Sequence, residues 1–147
     1  MPITVVETPV AIAQVAALRG PSRRAYEHFL DELSHRGCAA LSYRVTGPEP
    51  LPRLCVRHLR GADRVVVAFN QADSAYVLLV GPHDADPGLD VYELLYRLVG
   101  VRPSDSTKRT KPSCCDPGTG TTPTAAAEIV DDLCRRARTI ARSRRRF

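Results

Sequence analysis

The amino-acid sequence predicts an α+β fold: an N-terminal strand and an αα-hairpin packed on an antiparallel sheet, followed by a C-terminal helical tail. Three observations carry this. From Arg53 to His83, three short apolar runs rich in β-branched residues alternate with two polar turns, the pattern of an antiparallel meander. Two earlier stretches instead space their apolar residues at three and four positions, the period of a helix. Residues 102–123 then lose all apolar patterning, and a charged helical pattern follows.

In chain order, Ile3 to Val6 reads as the first strand. Thr8-Pro9 supplies an N-cap and a proline at the first helical position, Ile12, Val15, Ala16 and Leu18 follow at helical spacing, and Gly20 ends the run. A second helix is expected from a Ser22 cap, with a stripe of Tyr26, Phe29, Leu30 and Leu33 and a stop at Gly37. Leu41, Tyr43 and Val45 alternate with polar residues as a strand does, and the loop Gly47 to Pro52 carries three prolines. The meander's runs are Leu54–Leu59, Arg64–Phe69 and Tyr76–Val80. Gly81-Pro82 breaks the last of them. Asp90 then caps a helix with Glu93 three residues on, Val91, Leu94, Leu95, Leu98 and Val99 on its apolar side, and Gly100 at its end.

This divides the chain into a domain at 1–101, a flexible linker at 102–123 whose composition cannot offset the entropy of ordering, and a basic helix at 124–147. In that helix Ile129, Leu133, Ala137 and Ile140 form a narrow stripe, acids stand early and arginines late, as the helix dipole favours. Residues 1–101 hold ten basic and eleven acidic side chains, whereas 102–147 hold eleven and five, so the net charge of +5 belongs to the tail. Long-range attraction for polyanions is therefore expected from the tail, and from the domain only through a local cluster.

The five cysteines, Cys38, Cys55, Cys114, Cys115 and Cys134, match neither a disulfide framework nor a zinc spacing and are expected as free thiols. No apolar run approaches the roughly 20 residues of a membrane span, and the start is not that of a secretory signal, so a cytoplasmic location without membrane contact is expected.

Four segments taken in order resemble the RelE/ParE superfamily of type II toxins: Thr8-Pro9-x-Ala11 after a strand, Val56 to Val66 with its Arg57 and Arg64, Leu79-Val80-Gly81-Pro82-His83, and Asp90-Val91-Tyr92. The resemblance spans about residues 3 to 100. It implies a curved sheet with helices on one face and an anion-binding groove on the other, and a cognate antitoxin as partner. The nuclease branch of the family cleaves mRNA on the ribosome, without metal or cofactor, by attack of a ribose 2′-OH on the adjacent phosphodiester. A second branch binds DNA gyrase, and a non-catalytic binding module is the alternative function implied. For the nuclease, the resemblance assigns Arg57 and Arg64 to the phosphate, His83 to proton transfer and Tyr92 to stacking on a base. These types suit the tasks: a guanidinium stabilises charge on a pentacoordinate phosphate, and an imidazole moves a proton near neutral pH. One departure is Cys55, two before Arg57, where the better known nuclease carries a lysine. His58 is expected to be structural.

Overall fold

The structure is a computed structural model that describes residues 2–104 and 111–145, with side chains as far as Ile140 in the last helix. Among the described residues the strands are β1 (Thr4–Glu7), β2 (Tyr43–Arg44), β3 (Leu54–His58), β4 (Asp63–Gln71) and β5 (Ser74–Pro82). The helices are α1 (Pro9–Ala16), α2 (Gly20–Arg36), α3 (Val91–Val99) and α4 (Ala127–Arg145). The strands form one sheet in the order β1-β5-β4-β3-β2, parallel only between β1 and β5. The meander is present as expected.

Both faces of the sheet are covered. Leu54, Val56, Val66, Ala68, Leu78 and Leu79 pack with α3 and with Leu133 and Ala137 of α4. Cys55, Val65, Val67, Phe69, Val77 and Val80 pack with Tyr26, Phe29 and Leu33 of α2. This corrects the expectation of helices on one face and an open groove on the other. Side chains alternate along a strand, and here both sets are apolar, as a sheet buried on both sides requires. A β-bulge between Val66 and Val67 sets Leu78 and Leu79 of β5 in the same layer. It reverses the face of the second half of β5 relative to the first.

The edge of β5 is closed in two stages. β1 pairs with it from Thr4 to Glu7. Beyond that, Thr8 Oγ1 donates to the Leu78 carbonyl at 2.8 Å while accepting from the Ala11 N–H, and Gln14 Oε1 accepts from the Val80 N–H at 2.7 Å. The capping threonine and one side chain of α1 thus satisfy backbone groups that an exposed edge would leave open. The sequence expectation of Ser22 as the cap of α2 fails: the helix begins at Gly20, after Arg19, because Pro21 fits the first turn, where no N–H is needed. Asp90 and Gly100 bound α3 as expected, with Gly100 at φ +80°.

The C-terminal third departs most from expectation. Cys38 is bonded to Cys115 and Cys55 to Cys114, leaving Cys134 as the free thiol among the described residues. These bridges replace the expected free cysteines. Residues 111–126 do not form a tether: Cys114 and Ala125 are buried, and the Ala125 N–H bonds to the Phe69 carbonyl at the far end of β4. α4 packs against α1, α3, β4 and β5. Its buried stripe is Val130, Leu133 and Ala137, while Ile129 is exposed. Arg136 clasps the end of α3, Nη1 donating to the Val99 carbonyl at 3.2 Å. The residues at 105–110 and the side chains of Arg142, Arg144, Arg145 and Arg146 lie outside the described residues. A bridge spanning 77 residues removes enough freedom from the unfolded chain to stabilise the fold by about 4 kcal/mol in the chain-entropy account.

Thiol titration of the unfolded, unreduced protein should find one reactive thiol, rising to five after reduction, since four of the five cysteines are paired. Five thiols before reduction would return the cysteines to the free state expected from sequence.

Candidate anion-binding site

The turn between β3 and β4 decides which side chains meet. It has three residues, Arg60-Gly61-Ala62, with Leu59 and Asp63 joined by backbone hydrogen bonding and Gly61 at φ +60°. Such a loop places one residue in the left-handed region, which glycine adopts without a steric cost. Its odd length pairs His58 with Arg64, and Arg64 in turn pairs with Gly81 of β5. Residues paired across strands share a face, so His58 and Arg64 point to the α3 side.

Arg57 therefore points the other way, which corrects its expected place beside Arg64. It lies against α2, where its guanidinium meets the Glu32 carboxylate at 3.3 Å, Nη1 donates to the Ala40 carbonyl at 2.6 Å, and its Cζ sits 5.9 Å from the centre of the Phe29 ring. Burial opposes ionisation of Glu32, but Arg57 outweighs it and, with His28 and Arg36, holds the carboxyl below its usual range. Arg57 is part of the scaffold.

On the α3 side a cavity of about 100 Å³ gathers Arg64, His83 and Tyr92 of the expected site with Tyr43, His58 and Lys111. The Tyr43 hydroxyl is its hub, 2.6 Å from the Tyr92 hydroxyl and 3.1 Å from His58 Nε2. His58 stands edge-on to Tyr43, with ring centres 5.4 Å apart. His83 stands edge-on to Tyr92 at 4.9 Å, and its Nδ1 lies 2.9 Å from Asp90 Oδ1. Asp90 has a second task, since Oδ2 accepts the Glu93 N–H that opens α3. One carboxylate ties the helix to the imidazole. Burial raises its pKa, but the hydrogen bonds from His83 and from the Asp84 and Glu93 backbone prevail and hold it below the ordinary aspartate value.

The electrostatics favour an anion. Burial, followed by the nearby charges of Arg64, Lys111 and His83, lowers the pKa of His58, so its imidazole is neutral at neutral pH. Burial and the Tyr43 hydrogen bond push the Tyr92 phenol above the usual tyrosine range, against the pull of Arg64, so it stays a hydrogen-bonding phenol. Tyr92 is only 9% exposed, which leaves little ring surface for the expected stacking on a base. Arg64 Nη1 donates to the Gly61 and Asp63 carbonyls, both at 3.1 Å, and locks the turn. Its Nε is buried without a hydrogen-bond partner among the described residues. A buried N–H of a guanidinium with no acceptor is costly unless a ligand supplies one.

Sequence reasoning missed His58, Tyr43 and Lys111. For His58 the signal was available: it has the parity of Leu54 and Val56 and belongs to their face. Lys111 arrives from the predicted linker through the disulfides, which no local pattern foretells.

No family model matches the chain, and no curated protein matches it. Among solved structures, the toxin–antitoxin complex RelBE2 from Mycobacterium tuberculosis is similar at 20% identity and a TM-score of 0.46, over 56% of this chain and 99% of that one. The E. coli toxin RelE, in a doubly substituted mutant in the free state, is similar at 18% identity and a TM-score of 0.46, over 66% of this chain and 98% of that one.

Asp90→Ala should remove both the cap and the His83 contact, costing about 1–2 kcal/mol in urea unfolding at neutral pH. Because the folded pKa of Asp90 lies below its unfolded value of 3.8, its contribution is complete above that value and lost as pH falls through the folded one. The gap between wild type and Asp90→Ala should therefore narrow below pH about 4. A gap unchanged in acid would mean that the Asp90 charge adds nothing.

Proposed function

We propose that the chain is a toxin-like protein of the RelE/ParE type whose pocket binds a phosphodiester of mRNA on the ribosome and cleaves it. The observation that carries this reading is the convergence of Arg64, His58 and His83 on one cavity, with the Arg64 Nε buried and without a hydrogen-bond acceptor among the described residues. The sequence motifs support it independently, and with them comes a cognate antitoxin as partner.

In this reading Arg64 holds a non-bridging phosphate oxygen and stabilises the charge that builds up on phosphorus. Neutral His58 takes the proton from the ribose 2′-OH, whose oxygen then attacks the phosphorus. The bond to the 5′-oxygen breaks, and His83 donates the proton that the leaving oxygen needs. The products are a 2′,3′-cyclic phosphate and a free 5′-hydroxyl. His83 acts through Nε2, because Asp90 fixes Nδ1. Tyr43 and Tyr92 position the two imidazoles. Arg57 takes no part.

A second reading is binding without cleavage, as in a gyrase inhibitor or a non-toxic module. What favours it is the loss of two basic groups from the site, since Arg57 is paired with Glu32 and Cys55 is bonded to Cys114.

Arg64→Ala should lower cleavage on programmed ribosomes by about 10²–10³-fold with the fold retained, the usual effect of losing one transition-state charge contact. The acid limb of the wild-type rate profile should lie below pH 6.5, because the His58 pKa is lowered, and His58→Ala should abolish that limb. Wild-type rates in both variants would exclude the nuclease. Absence of cleavage by the wild type, together with inhibition of supercoiling, would establish the second reading.

A further inference from the structure

Lys111 stands outside the stretch that carries the sequence resemblance, yet it lines the pocket, with Nζ 5.4 Å from the centre of the Tyr43 ring. Its backbone is in the left-handed region at φ +49°, the one non-glycine residue so placed among the described residues. That conformation is unfavourable for lysine and persists only where neighbours enforce it. Here they do. The Arg44 N–H bonds to the Pro112 carbonyl at 2.7 Å, and Arg44 Nε bonds to the Cys114 carbonyl at 3.0 Å. Three residues on, the vicinal Cys114 and Cys115 are tied to Cys55 of β3 and to Cys38 after α2. One short strap is anchored at two points of the sheet layer and carries a cation at the pocket.

We propose that Lys111 is a second phosphate ligand of the pocket and that the two disulfides hold it there, so that reduction of the strap weakens binding. The proposal rests on the reading of the pocket as a nucleic-acid phosphate site and deepens it. An ammonium suits the role because it is a point charge that reaches a neighbouring phosphate without fixed geometry, whereas Arg64 supplies the directed contact. The reductant is a dithiol. Its thiolate attacks Cys115 Sγ, on the half-buried partner of the Cys38–Cys115 bridge, and the Cys38 thiolate leaves. The second thiol of the reductant then resolves the mixed disulfide, so two electrons and two protons pass to the protein and the reductant becomes a disulfide. The same exchange opens Cys55–Cys114, whose sulfurs lie deeper. With both bridges open, the covalent anchors that oppose the relaxation of Lys111 from its strained backbone are gone, and the contacts of Arg44 and of the Tyr43 ring are weaker, non-covalent restraints.

The test uses a fluorescent, 2′-O-methylated oligoribonucleotide that cannot be cleaved, with the full chain oxidised or treated with dithiothreitol. In the oxidised protein Lys111→Ala should weaken binding by about three- to tenfold and reduce the slope of log K against log salt by about 0.7, the signature of one lost phosphate contact on a single strand. Reduction of the wild type, with the far-UV signal retained, should do the same, and reduction of Lys111→Ala should add nothing. Full affinity in oxidised Lys111→Ala overturns the proposal, and this arm holds even if the reduced chain unfolds. A reduced, folded wild type that binds as tightly as the oxidised protein overturns the control by the disulfides. Arg64→Ala separates the two readings. If it weakens binding while Lys111→Ala does not, the pocket reading stands without the strap; if it has no effect, the pocket reading itself falls.

Discussion

The pairing of His58 with Arg64, and of Arg64 with Gly81, is the constraint on which the site depends. Strand side chains alternate between faces, so a single register step at the turn after β3 would exchange the occupants of the pocket. A two- or four-residue turn would pair Arg57 with Arg64 and put His58 among the apolar residues under α2. The three-residue turn, made possible by Gly61 in the left-handed region, puts His58 in the pocket and Arg57 into an ion pair with Glu32. The contacts of Arg64 with the Gly61 and Asp63 carbonyls make the site residue a clamp on the same turn. Register and chemistry are held by one side chain.

Asp90 plays the corresponding part on the other side. It starts α3, holds His83, and accepts the Asp84 N–H at 2.9 Å, so the loop after β5, the imidazole and the helix move as a unit. α3 then brings Tyr92 to Tyr43, and the chain of phenols and imidazoles closes across the cavity. The cavity lies between the sheet and α3. The basic groups reach it from β3, β4, the loop after β5 and the strap.

What was legible in the sequence was whatever local rules determine. Apolar, β-branched runs between polar turns gave β3, β4 and β5, and the Asp90 cap with Gly100 gave α3, because these signals involve residues only a few positions apart. The set Arg64, His83 and Tyr92 was readable from motifs in order. What was not legible depends on distant partners. The pairing of Cys114 and Cys115 with Cys55 and Cys38 is set by tertiary structure, and it is what orders a stretch whose composition alone argues for a tether. The face of Arg57 depends on turn length, and the buried side of α4, Val130 instead of Ile129, depends on its packing against elements distant in sequence, α1, α3, β4 and β5. The same non-local origin hides Lys111.

The central claim is that the anion contact is made by Arg64 and not by Arg57. Nitrogen-15 NMR of the arginine Nε–H groups, followed as the non-cleavable oligonucleotide is added, tests it directly. The Arg64 resonance should move saturably, because its Nε has no hydrogen-bond partner among the described residues, while that of Arg57, which donates to the His58 carbonyl, should stay in place. Movement of Arg57 with Arg64 unchanged would contradict the account.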